Sequence, residues 1–195
     1  GNDFMVVLAA MEDAFPEKDV IISMADRKEG VGFDQLLWII ADATDADFEL
    51  RIFNADGGEA EQCGNGLRCV ARYIHEHALK PGTVWQVKTL GGICRVWYEG
   101  DDLYGADLGA PVLSPEAVPF IADGMANLYR LNSPWGVLDI GVVSLGNPHA
   151  VLRVADLASD DYEEKVRFIS QSARFPRGVN VGVCMVDDAQ NLRLR

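Results

Sequence analysis

The stretch Asn54-Ala55-Asp56-Gly57-Gly58-Glu59-Ala60-Glu61-Gln62-Cys63-Gly64-Asn65-Gly66-Leu67-Arg68-Cys69 joins a strand, a polar loop and a helix. Before it, Phe48, Leu50 and Ile52 alternate with Glu49 and Arg51, the period-two pattern of a half-buried strand over 48–54. After it, Leu67, Val70, Ala71, Ile74 and Ala78 recur at helical spacing, and Pro81-Gly82 stops the run. Cys69 and Tyr73 widen the apolar face, so this helix is expected to be largely buried. Cys63 sits where the loop becomes the helix. A helix start offers unpaired N–H groups and partial positive charge, which can lower a thiol's pKa and hold a carboxylate. The glycines allow close approach to the backbone. Thiolate plus carboxylate cradle suggests chemistry beside a carboxylate, at an α-carbon.

Working outward, 16–24 reads as a short helix or a strand, which periodicity does not decide. Beyond the central helix, 84–89, 93–98 and 103–107 are strands rich in Val, Trp and Tyr, joined by glycine turns. The segment 108–119 has three prolines and no period, and reads as a linker. The stretches 137–145, 150–154 and 179–186 read as further strands. Between the last two, Ser159 or Asp160 caps a helix with Tyr162, Val166 and Ile169 facing inward. Strand runs with one helix in each half predict α+β layers, not a regular βαβ sheet. The halves are 1–108, carrying Cys63, and 109–195.

Composition limits the function. Of 195 residues 49% are hydrophobic, enough for a substantial core. Acidic residues outnumber basic ones 30 to 17, a net charge of −13, which argues against nucleic-acid and membrane-surface roles. No apolar run approaches the ~20 residues of a membrane span. Four cysteines are too few for a disulfide scaffold, and a cytoplasmic protein with reduced thiols is expected.

An internal echo supports two related halves. Gly1-Asn2-Asp3-Phe4-Met5-Val6-Val7 is similar to Gly146-Asn147-Pro148-His149-Ala150-Val151-Leu152, at an offset of 146 − 1 = 145. Val31-Gly32-Phe33 has a looser counterpart within 178–182. Both ends of the chain read as cut within an element, so a fragment is expected. By the offset, a counterpart of Cys63 would fall near position 63 + 145 = 208.

Among the cysteines, Cys69, Cys94 and Cys184 lie in helix or strand patterns and read as packing. The polar, glycine-rich surroundings of Cys63 favour a chemical role. His75 and His77 point to different helix faces, so no metal site is expected.

The 54–69 segment closely resembles the first catalytic-cysteine motif of the diaminopimelate epimerases. Gly1-Asn2-Asp3-Phe4, Asp26-Arg27, Gly30-Val31-Gly32-Phe33-Asp34-Gln35, Gly146-Asn147-Pro148-His149 and Asn180-Val181 agree in order. The resemblance implies two pseudo-symmetric halves, each a mixed or antiparallel sheet wrapped around a central helix. It implies cofactor-independent interconversion of L,L- and meso-diaminopimelate by two cysteines, one taking the α-proton and the other delivering one to the opposite face. Carried over, Cys63 is an acid/base; Gly64 and Asn65 bind the reacting carboxylate; Asn2, Gln35, Asn54, Asn147 and Asn180 contact the substrate; His149 tunes thiol protonation. It also implies a small-molecule substrate and a homodimer, without cofactor or metal. The family's second cysteine motif and Glu-Arg pair are not in this sequence, so this chain alone is expected to be inactive.

Three other readings stay open at this level. A proline racemase-like or phenazine-biosynthesis-like isomerase would share the fold. Cys63 with His149 would serve acyl transfer. A binding or structural remnant would have no activity. Taken singly, the asparagines fit ordinary turn chemistry.

Overall fold

The computed structural model describes residues 2–10, 15–41, 43–158 and 161–195, with the Asp161 side chain excepted. The expected helix cap at Ser159 or Asp160 lies outside them, as does Gly1. The chain divides into two compact units, Gly1–Gly109 and Ala110–Arg195.

In the first unit, β1 (Phe4–Ala9) pairs in parallel with β2 (Gln35–Ala41), and α1 (Lys18–Ala25) lies between them in sequence. β2 then pairs antiparallel with β3 (Phe48–Asn54), flanked by the short β4 (Glu59–Ala60). From β3 the chain runs through α2 (Gly64–Glu76) to β5 (Val84–Thr89), which is parallel to β3. β6 (Gly92–Gly100) and β7 (Leu103–Asp107) complete the antiparallel meander read from the sequence.

The helices take opposite faces of this sheet. Adjacent strand residues point to opposite sides, and Leu36 packs with Ile21 and Ala25 of α1 while Leu37 packs with α2. The α2 stripe of Leu67, Val70, Ala71 and Ile74 is completely buried against Leu50, Ile52, Trp85 and Val96, among others. Each fully buried Val, Leu or Ile contributes about 1.5–3 kcal/mol.

Three details differ from the sequence reading. The 16–24 ambiguity resolves as a helix, with Ile21 and Ala25 buried and Val20 exposed. The end of α2 comes before Pro81: His77 caps it and Ala78 turns left-handed at φ 48°. β2 was hidden because it is buried on both faces, so Leu36, Leu37, Ile39 and Ile40 show no alternation.

The second unit has strand order β12-β11-β10-β9-β8. β8 (Tyr129–Ser133), β9 (Gly136–Ser144) and β10 (Pro148–Arg153) form an antiparallel meander. The chain passes through α3 (Asp161–Ser170) to β11 (Asn180–Val186), parallel to β10, and β12 (Leu192–Leu194) closes the edge. Ile169 of α3 is fully buried with Ile140, Ala150 and Leu152. Residues 110–120 are not a free linker. Val112 bridges Ser144, and Val118 and Phe120 are buried in this unit's core. Their prolines mark a chain that packs without regular structure.

The fold is α+β with two mixed sheets. Its parallel pairs, β1–β2, β3–β5 and β10–β11, each join strands on either side of a helix, and of these only β1–β2 involves a strand, β2, that was not legible in the sequence. Within each unit the crossover has the same register. Phe4 pairs with Gln35 and His149 with Asn180; 149 minus 4 and 180 minus 35 both give 145. The echo in the sequence is therefore an echo of topology, with α3 in the position of α1.

Candidate active site

Cys63 is the N-cap of α2, in extended backbone geometry with φ −148° and ψ 103°. Its carbonyl accepts the first helical N–H, from Leu67 at 2.9 Å, and its Sγ accepts the N–H of Gly66 at 3.3 Å. The sulfur thus takes the capping place that a side-chain oxygen more often fills at a helix start. The amides of Gly64 and Asn65 belong to the first turn and have no intrahelical carbonyl to reach. Space at Gly66 is tight: a Cβ there would lie 3.0 Å from Leu37 Cδ2 and 3.4 Å from Cys63 Sγ.

The other carried-over residues of the first unit gather at the same end of its sheet. Phe4, Gln35 and Asn54 hold consecutive register positions across β1, β2 and β3. Gln35 Nε2 donates to Asn54 Oδ1 at 2.8 Å, which leaves Gln35 Oε1 buried without a partner. An acceptor in that state suits a ligand N–H or ammonium. Asn2, just before β1, accepts from Asn65 Nδ2 at 3.2 Å and so joins the strand end to the start of α2. Beside this cluster opens a hollow of about 360 Å³, lined in part by Asn2, Phe4, Asn65, Arg68, Cys69 and Tyr104.

In the second unit Asn147, His149 and Asn180 also meet at one sheet end. His149 Nε2 lies 2.8 Å from Asn147 Oδ1, an oxygen that only accepts, so Nε2 carries the proton. Asn180 Nδ2 donates to the Pro148 carbonyl at 3.3 Å. Burial pushes the His149 imidazole below its ordinary pKa, towards the neutral form.

Cysteine environments differ as the sequence suggested. Cys94 is buried, and burial pushes its thiol up. Cys69 is half-buried; burial raises it first, and the neighbouring Cys63 charge adds to the rise. Cys184 lies in β11, where a strand offers no helix-start amides. Among the described residues no group of three or more His, Cys, Asp or Glu is placed to hold a metal ion.

The sequence reading quoted Arg27 without giving it a task. Its guanidinium binds Asp3 and Asp34, each at 2.8 Å, and the Asp3 N–H donates to Asp34 Oδ2 at 2.9 Å. This exposed clamp ties the turn carrying Asn2 to the start of β2 carrying Gln35. The Asp3 amide, then Arg27, hold the Asp34 carboxyl below its usual range. Solvent screens exposed pairs of this kind, so the clamp matters for position more than for stability.

The diaminopimelate epimerase family model matches residues 1–113. Across its whole length the chain is 43% identical to the diaminopimelate epimerase of Aromatoleum aromaticum, of which it covers 71%. The chain belongs to the diaminopimelate epimerase family. That of Nitrosospira multiformis is 41% identical over the whole chain, which covers 70% of it. Among solved structures, a probable proline racemase from Agrobacterium radiobacter superposes with a TM-score of 0.66 at 15% identity, over 91% of this chain and 57% of that one. A hydroxyproline epimerase from Agrobacterium vitis gives 0.63 at 14%, over 89% and 56%. These structures share the diaminopimelate epimerase fold with this chain, which spans under two thirds of their length. No helix among the described residues is long and apolar enough to cross a membrane.

Proposed function

We propose that this protein interconverts L,L- and meso-diaminopimelate without pyridoxal phosphate, and that Cys63 is one of the two acid/bases that exchange the α-proton. The observation that carries the reading is the Cys63 sulfur capping α2 while accepting the Gly66 N–H. As thiolate, Cys63 removes the α-proton from one face; a second acid returns a proton to the other, and the roles reverse with direction. The Gly64 and Asn65 amides, at the positive end of α2, take the carboxylate next to the reacting carbon. Charge that develops there is met by donors already in place.

Asn2, Gln35 and Asn54 in the first unit, with Asn147 and Asn180 in the second, supply neutral amides for a zwitterionic substrate. In a chain of net charge −13 they accept ammonium and donate to carboxylate without adding charge. A neutral His149 beside Asn147 serves as proton acceptor for a thiol. Identity above 40% to diaminopimelate epimerases, against 15% or less to the racemase-type structures, favours this substrate over proline-like ones. Thiol chemistry of this kind suits a reducing cytosol, and a homodimer is the assembly proposed with it.

The test is the gene's complete product with L,L-diaminopimelate in D₂O, read by NMR for deuterium and by chiral chromatography for the meso isomer. Deuterium at the α-carbon with meso product is expected, and Cys63→Ala should abolish the inversion. Meso product at an unchanged rate from Cys63→Ala would sink the assignment.

A further inference from the structure

Three residues before the helix, the chain is held from a direction the mechanism does not use. The Glu61 carbonyl accepts the N–H of Gly91 at 2.9 Å, in the turn between β5 and β6. That turn is braced by Thr89, whose hydroxyl donates to the Gly92 carbonyl at 3.0 Å and accepts the Gly91 N–H at 3.1 Å. Next, Gln62, only 5% exposed, donates Nε2 to Cys94 Sγ at 2.9 Å, inside β6. Cys94 is itself 2% exposed and pairs with Val87 across the hairpin. The residue immediately before Cys63 is therefore a buried amide anchored in the sheet. On the other side, Asn65 is exposed and its side chain donates to Asn2.

We propose that Gln62 is a positioning residue for Cys63: its hydrogen bond to the Cys94 thiol fixes where the β5–β6 hairpin delivers the reactive sulfur onto the start of α2. The physical reason is leverage. A buried polar side chain anchored in an apolar sheet shifts only by giving up that hydrogen bond, which the surroundings do not replace with water. The backbone one residue on inherits that rigidity. Cys94 acts as thiol and acceptor, and burial, which holds its proton on, keeps it in that role. The proposal rests on Cys63 being an acid/base, and its tests separate the two claims.

Gln62→Met keeps the side-chain volume and removes the donor; Cys94→Ala removes the acceptor; Cys94→Ser restores one. In each variant, the alkylation rate of Cys63 by iodoacetamide is followed against pH by peptide mass spectrometry, with kcat and KM for diaminopimelate measured alongside. Displacements of about 1 Å cost up to ~100-fold in rate, so a fall of roughly tenfold or more is expected for Cys63 alkylation and kcat, with KM changed by under about twofold. Gln62→Met and Cys94→Ala should be non-additive, and Cys94→Ser close to wild type.

A folded Gln62→Met or Cys94→Ala variant with unchanged Cys63 alkylation and kcat would overturn the proposal. So would a parallel rise in Cys69 alkylation, which marks general loosening. If alkylation responds and kcat does not, positioning stands and the acid/base reading of Cys63 fails.

Discussion

The Sγ of Cys63 lies 3.3 Å from the backbone nitrogen of Gly66 and accepts its hydrogen, so the candidate acid/base is also the cap of its own helix. The two roles share one geometry. Gly66→Ala should disturb both, because the new Cβ would meet Leu37 Cδ2 at 3.0 Å and Cys63 Sγ at 3.4 Å. Overpacking of this kind costs about 1–3 kcal/mol. A lower urea midpoint with slower Cys63 alkylation is expected; wild-type values for both would refute the steric argument.

Reactivity should follow position in the fold. An aziridine analogue of the substrate, or limiting iodoacetamide, is expected to label Cys63 ahead of Cys69, Cys94 and Cys184. Burial disfavours the thiolates of Cys69 and Cys94, and Cys63 alone caps a helix. Peptide mass spectrometry showing equal labelling at the other three would remove Cys63 from its role.

Asn147→Ala removes the acceptor of the His149 Nε2 proton together with one proposed substrate contact. Each unpaired buried polar group costs roughly 1–3 kcal/mol, so kcat/KM for diaminopimelate should drop by about 5- to 150-fold. An unchanged kcat/KM would make Asn147 a turn residue.

His149 should make stability depend on pH. Burial lowers its folded pKa below the unfolded value of about 6.5, so the unfolded state binds more protons and stability rises with pH. The penalty is absent well above the unfolded pKa and grows as pH falls through it towards the folded one. Urea midpoints measured across this window should decline on acidification, and His149→Gln should flatten the decline. An equal slope in the variant would place the proton uptake elsewhere.

Ala78 follows the α2 cap with φ 48°, a left-handed conformation that an alanine adopts at a cost of about 1–2 kcal/mol. Ala78→Gly should therefore stabilise the first unit by up to about 1 kcal/mol and raise its Tm, with Cys63 alkylation unaffected. A lower Tm would show that the strain is absent.

Local order in the sequence was enough to place the start of α2 and the loop before it. The strand-loop-helix of 54–69 is written in adjacent residues: alternation, then glycines, then a stripe at helical spacing, with Cys63 at the join. Hydrogen bonds between near neighbours settle such a segment wherever it is placed. The meander after α2 was legible for the same reason, since its turns are short and each strand finds the next.

Only the tertiary structure decided the rest. β2 has no sequence rhythm because α1 and α2 bury its two faces, and residues 108–119 look like a linker until Val118, with Phe120 just beyond, enters the second core. The Gln35–Asn54 pair, the Arg27 clamp and the Gln62–Cys94 hydrogen bond join residues 19, 24, 7 and 32 positions apart. Which partner each finds depends on strand register and burial. Those are properties of the assembled sheet, set by long-range packing that no local window of residues contains.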